Sequence, residues 1–111
     1  MIETPAIEGV MLELRACAPE KNRFRSWRIE IDRDLFGLLN ARITFGRIGT
    51  SGRTRRWDFD TEVEAAKFLR AKLRRRASGD KRRGAAYRVI DASAIAIPFI
   101  GGLLPLDRSL E

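Results

Sequence analysis

The sequence has no histidine, a single cysteine and no apolar run long enough to cross a membrane. Without histidine, neither a Ser–His–Asp nor a Cys–His triad can be assembled, and with one cysteine as well the usual zinc ligand sets are excluded. Because Cys17 has no partner in the chain, no intrachain disulfide can form, which is typical of proteins from a reducing compartment. The longest apolar run, residues 92–106, contains two prolines and is shorter than the roughly 20 residues that span a bilayer. No signal peptide is indicated at the N-terminus, so we expect a cytoplasmic protein with no membrane, metal or cofactor partner.

Positive charge is concentrated in the middle of the chain. The 111 residues carry a net charge of +7, and residues 42–83 hold 14 basic and five acidic side chains, whereas the flanking segments are close to neutral. Arginine supplies most of this charge, and its planar fork of donors suits phosphate groups. A field of this kind attracts polyanions. The alternative interpretation is a solvated, arginine-rich face without a ligand.

Hydrophobic periodicity predicts an α+β fold. Apolar residues alternate along Val10–Cys17 and again at Trp27, Ile29 and Ile31, as in half-buried strands. Residues 60–76 have helical periodicity, with Thr61 and Glu64 in the positions of a capping box. We therefore expect an antiparallel β-sheet, a meander of about four to five strands, with one main helix packed on it. Residues 10–91 form the predicted domain, and residues 92–111 form an apolar C-terminal tail that packs on the domain or on a partner.

The stretch "TFGRIGTSGRTRRW", residues 44–57, has more cations than a hairpin needs. Its glycines allow a tight turn in which backbone N–H groups can approach a phosphate closely. Arg47 lies inside this turn, where packing does not explain it, although it could instead cap a carbonyl or pair with Asp58 or Asp60. Phe45 alternates with Ile43 and is either a core residue or a stacking platform.

Residues 10–91 resemble the WGR domain family, named for a Trp-Gly-Arg run that ends a strand. The matching features are Phe45-Gly46-Arg47, the turn Gly49-Thr50-Ser51-Gly52 with Arg53 and Thr54 after it, Phe59 before the helix, and the run from Lys81 to Tyr87. The family includes a DNA-break-sensing module of poly(ADP-ribose) polymerases and small bacterial proteins. In the polymerases the motif tryptophan packs on the sugar at the end of a broken strand, and the motif arginine organises contacts nearby.

The resemblance implies a non-catalytic module that binds nucleic acid, DNA rather than RNA, at ends, nicks or the backbone. Two differences from the family motif affect the roles that the resemblance implies for these residues. Phe45 replaces the tryptophan, keeping a flat apolar face but losing the N–H donor. Arg53 replaces the usual glutamine and adds charge. The predicted nucleic-acid-binding residues combine the motif, the basic strand, the helix and the loop after it: Phe45, Gly46, Arg47, Arg53, Arg55, Arg56, Lys67, Arg70, Arg74, Lys81, Arg82 and Arg83.

Two further hypotheses compete with nucleic-acid binding. The basic face or the C-terminal tail could instead serve a protein partner, with the tail forming a homodimer. An enzyme is not expected, because Asp58 and Asp60 are better explained as a strand end and a helix cap than as a catalytic pair.

Overall fold

A computed structural model of the chain describes residues 6–78 and 86–107. In this described part the protein forms one five-stranded sheet with the main helix α1 (Glu62–Ser78). The strands are β1 (Val10–Ala18), β2 (Arg23–Arg33), β3 (Leu39–Arg47), β4 (Arg53–Phe59) and β5 (Tyr87–Ala92). The predicted site residues Lys81, Arg82 and Arg83 lie outside the described residues. No helix in the described ranges is long and apolar enough to cross a membrane.

The strands lie in the order β4-β3-β2-β1-β5, and every neighbouring pair is antiparallel. β1 to β4 follow one another as a meander, and the chain then passes through α1 before β5 joins the free edge of β1. The predicted α+β class with one helix on an antiparallel sheet is confirmed.

One face of the sheet forms the core. Alternate residues of the three central strands are buried, including Leu12, Leu14, Ile29, Ile31 and Leu39. The helix contributes Ala65, Ala66, Leu69 and Leu73, the four residues that the helical period places on one arc. The predicted cap is present, because the Thr61 hydroxyl accepts a hydrogen bond from the backbone N–H of Glu64 at 3.2 Å.

The segment after β5 folds back and completes this core. It contains a short helix, α2 (Ile97–Ile100), and buries Ala96, Phe99, Ile100 and Leu104. Two backbone hydrogen bonds join this segment to Val89 of β5. Val89 N–H donates to Pro105 O at 2.9 Å, and Asp107 N–H donates to Val89 O at 2.8 Å. The segment therefore packs on the sheet, while Ile95, Ile97, Leu103 and Leu106 keep part of their surface in solvent.

Candidate nucleic-acid interface

The glycine turn between β3 and β4 depends on a very close approach of two backbones. A Cβ atom on Gly46 would lie 2.9 Å from Gly52 Cα, and one on Gly52 would lie 2.6 Å from Phe45 O. Gly52 also has a φ of +67°, a conformation that favours glycine. The turn is further fixed by Thr50, whose hydroxyl donates to Arg47 O at 2.7 Å. The glycine spacing is thus a packing requirement of the turn.

Arg47 joins this turn to the neighbouring turn between β1 and β2. Its guanidinium donates to Asn22 O at 3.2 Å and to Asn22 Oδ1 at 3.0 Å, and it lies over the Phe24 ring at 5.1 Å from the centroid. Of the predicted roles inside the domain, capping a carbonyl is therefore observed, and no ion pair with Asp58 or Asp60 is seen among the described residues. Arg47 remains exposed, so its outer edge is accessible to a ligand.

A basic pocket of about 300 Å³ opens beside Phe45 and Gly46. Residues from β2, β3, α1 and β5 line it: Arg23, Arg25, Ser26, Trp27, Phe45, Gly46, Arg76 and Tyr87. Phe45 is neither fully buried nor fully exposed, and it packs against the core with one side. The ring thus supports the core and also forms a wall of the pocket, and its role as a stacking platform stays a prediction.

The pocket wall includes the buried indole of Trp27. The side chain is 1% exposed, and among the described residues no atom accepts a hydrogen bond from Nε1–H. The guanidinium of Arg76 lies over the same indole, 5.2 Å from the ring centroid. Because guanidinium groups carry positive charge and only donate hydrogen bonds, the arginines of this wall suit an anion.

A second aromatic group lies along β4 and α1. Phe68 packs against Trp57 and Phe59 at centroid distances of 5.0 Å, and Lys72 Nζ lies 5.3 Å from the Trp57 centroid. Trp57 is half-buried, and the Lys72 ammonium lies above its ring. Burial lowers the pKa of Lys72, and the nearby charges of Arg76, Arg75 and Arg55 lower it further.

The sheet register separates the predicted arginines into two groups. Arg53 lies opposite Phe45 and Arg55 lies opposite Ile43, so both share the helix-side face with the pocket. Arg56 lies opposite Arg42 on the other face, away from the pocket.

The predicted helix residues are also not at the pocket. Arg70 lies over Phe99 of α2 at 5.2 Å, and at 100° per residue Lys67 and Arg74 lie on the same flank. The helix cations on the opposite flank, nearer the glycine turn, are Lys72 and Arg76. Sequence reasoning therefore missed Arg23, Arg25, Lys72 and Arg76. A signal existed for Arg23 and Arg25, which share their phase in β2 with Trp27, and for Arg76, which follows the buried Leu69 by seven residues.

The sequence model of the WGR domain family matches residues 9–85, well over half of the chain. The chain belongs to the WGR domain family. WGR domains act as nucleic-acid-binding modules in proteins that resemble poly(ADP-ribose) polymerases, and the domain is not itself catalytic. No curated protein and no solved structure shows a significant match to this chain.

Ion pairs make the two faces of this WGR domain electrostatically different. The outer face is the face of the sheet that points away from α1. There the guanidinium of Arg28 lies within 4 Å of the carboxylates of Glu13 and Glu30, and that of Arg42 lies within 4 Å of the carboxylates of Glu30 and Asp32. No ion pair of this kind involves Arg23, Arg25, Arg53 or Arg55 in the described part of the chain. Charge is thus largely neutralised on the outer face and left available around the pocket and the glycine turn.

Proposed function

We propose that this WGR domain is a non-catalytic module that binds nucleic acid, DNA in preference to RNA. The proposed binding surface is the sheet face that carries α1, at the end near the glycine turn. The observation that supports this proposal is the basic pocket beside Phe45 and Gly46, which Arg23 and Arg25 of β2 line together with Arg76 of α1. A phosphate group supplies acceptors for the guanidinium groups of these arginines.

The residues proposed to contact the strand follow from that geometry. Arg23, Arg25 and Arg76 line the pocket, and Arg53 and Arg55 continue the same face along β4. Phe45 lines the pocket and is partly exposed, and its flat apolar ring can pack on a sugar or an unstacked base. The other predicted cations of the described residues lie away from the pocket and would contribute only to the overall positive electrostatic potential of the domain. They are Arg56, Lys67, Arg70 and Arg74.

A preference for ends or nicks is proposed from the position of Phe45. An intact duplex covers the sugar and base faces by stacking, whereas an end or a nick exposes them to an aromatic side chain. Phosphate contacts supply most of the affinity and little sequence readout, because the described residues form no helix or strand arranged to read base edges.

The proposal is tested by fluorescence anisotropy with labelled DNA at several salt concentrations. We expect log Kd to change linearly with log salt, with an affinity slope of about −3 to −6 if three to six phosphates are neutralised. Arg25→Ala should reduce the slope by about 1. Arg42→Ala is the matched control, since it removes the same charge from the outer face. A salt-independent affinity, or equal effects of Arg25→Ala and Arg42→Ala, would overturn the proposed interface.

End recognition needs a separate comparison. A blunt duplex, a nicked duplex and a duplex closed at both ends by hairpin loops are titrated at one salt concentration, with single-stranded DNA and RNA of matching sequence. Tighter binding to the blunt and nicked duplexes than to the closed one supports the end preference, and Phe45→Ala should abolish the difference. Arg47→Ala should weaken all DNA forms, because Arg47 positions the glycine turn. Equal binding to the closed and open duplexes would leave a backbone-binding module without end recognition.

A further inference from the structure

An exposed apolar pair lies at the turn between β2 and β3, at the opposite end of β3 from the glycine turn. Leu35 is 100% exposed and Phe36 is 89% exposed. Exposed large apolar side chains that stand next to each other frequently mark a contact surface for another protein. This pair, here named the apolar tip, contacts neither the core nor the proposed nucleic-acid interface.

The backbone beneath the apolar tip is held rigidly. Asp34 Oδ1 accepts hydrogen bonds from the N–H groups of Phe36 at 2.8 Å and Leu38 at 3.0 Å, and Asp34 N–H donates to Leu38 O at 2.8 Å. Arg33 adds a bond from Nη1 to Gly37 O at 2.7 Å. A tip that is ordered before it binds loses less conformational entropy on association, which favours a role as an anchor.

Carboxylates surround the base of the apolar tip. Arg33 draws Glu8 and Glu62 towards it through two ion pairs, and Asp32 and Asp34 flank Arg33 in the chain. Arg33 and Arg42, which pairs with Asp32, are two guanidinium groups against these four carboxylates, so negative charge remains in excess. A partner for the tip should therefore present an apolar cavity with a positive rim.

The same chain contains a cavity with that chemistry. Ala6, Ile95, Pro98, Phe99 and Arg70 line a hollow of about 280 Å³ at the C-terminal segment. A cavity of about 150 Å³ can hold a benzene ring, so there is room for one phenyl side chain. Arg70 lines the cavity with its guanidinium 5.2 Å from the Phe99 ring centroid, and at 100° per residue Lys67 and Arg74 lie on the same flank of α1. The tip does not fill this cavity in its own chain, because both of its side chains are exposed.

We propose that the apolar tip of one copy docks into the C-terminal cavity of a second copy, with Phe36 as the anchor and Arg70 facing the carboxylates. The contact joins two different surfaces, so it closes as a dimer if each copy docks into the other and continues as a chain if it does not. The contact does not require nucleic acid. The proposal gives a function to the apolar tip and to the cations of α1 that lie away from the pocket.

The test is sedimentation velocity of the full chain without nucleic acid, from about 1 µM to about 1 mM, the range suited to a small contact. We expect concentration-dependent association that Phe36→Ser and Arg70→Glu each weaken at least tenfold. Val63→Ser is the matched control, since Val63 is also an apolar residue exposed to solvent, at 56%. Unchanged thermal unfolding of the variants shows that they fold.

Mixing the two variants identifies the surfaces that meet. Phe36→Ser retains the cavity and Arg70→Glu retains the tip, so an equimolar mixture should recover part of the association that each variant has lost. A wild-type chain that stays monomeric over the whole range would overturn the proposal. So would a mixture that stays as weak as its components, or an Arg70→Glu variant that associates like the wild type.

Discussion

At the scale of single residues, the glycine turn is defined by places where a side chain cannot fit. Gly46 and Gly52 face each other across β3 and β4, and the backbone of Phe45 fills the remaining space. Gly49 also has a positive φ, of +90°, but no atom lies within 4 Å of its missing Cβ. The two kinds of constraint, conformation and space, can therefore be separated by substitution.

Gly52→Ala should destabilise the fold more than Gly49→Ala. Gly49→Ala imposes only the left-handed backbone on an L-residue, which costs about 1 kcal/mol. Gly52→Ala adds a contact with Phe45 O that must be relieved by moving the backbone, for a total of about 2–4 kcal/mol. Urea denaturation of the two variants measures the difference, and equal losses would show that the close approach is relieved without cost.

At the scale of elements, Arg33 ties the start of α1 to the end of β2. Its guanidinium pairs with Glu62 at the first residue of the helix and with Glu8 before β1, and the hydrogen bond to Glu62 raises the pKa of Arg33. A bond from its own backbone N–H, followed by the bond from Arg33, lowers the pKa of Glu62. The guanidinium of Arg33 thus links the first turn of α1 to the end of β2.

This coupling predicts an acid-sensitive contribution to stability. Because the folded pKa of Glu62 is lowered, its contribution is complete above the ordinary glutamate pKa of about 4.3 and is lost as the pH falls through the lower, folded value. Glu62→Gln should therefore lower the free energy of unfolding at pH 7 and flatten its decline below about pH 4.3. The control is Glu64→Gln, which removes a carboxylate from the same helical turn. Identical pH profiles for the two variants would contradict the assignment.

At the scale of the whole molecule, the C-terminal segment completes the core on the flank away from the pocket. Phe99 and Ile100 of α2 are buried, whereas Ile97 in the same short helix is 55% exposed. The segment thus has a structural role in the single chain and also forms the cavity proposed to receive a second copy. Charge is divided at this scale too, because in the described part of the chain Arg23, Arg25, Arg53 and Arg55 take part in no ion pair, whereas Arg28 and Arg42 are paired on the outer face.

Phe99→Ala should cost about 3 kcal/mol of unfolding free energy, because it leaves a cavity under α2 and removes the ring beneath Arg70. Ile97→Ala, two residues away, should cost less than about 1 kcal/mol, since more than half of its side chain is already in water. Chemical denaturation of both variants checks this order. A Phe99→Ala loss no larger than that of Ile97→Ala would mean that the segment adds little to the core.

The local elements follow from the sequence because they depend on neighbouring residues. Alternation at Trp27, Ile29 and Ile31 predicts β2 because strand side chains point to opposite faces in turn. The Thr61 cap and the four buried helix residues of α1 are likewise local, as is the glycine spacing that marks the turn at Gly46–Gly52. The resemblance to WGR domains rests on these same short-range features.

The pocket is decided only by the tertiary structure. Arg25, Arg76 and Tyr87 belong to β2, α1 and β5, and they meet because of the strand order and the path of the helix across the sheet. Periodicity indicates which face a residue occupies but not which cations from distant elements share that face. For this reason the sequence predicted a basic, glycine-centred surface, whereas the packing placed Arg76 at the pocket and Arg70 on the opposite flank.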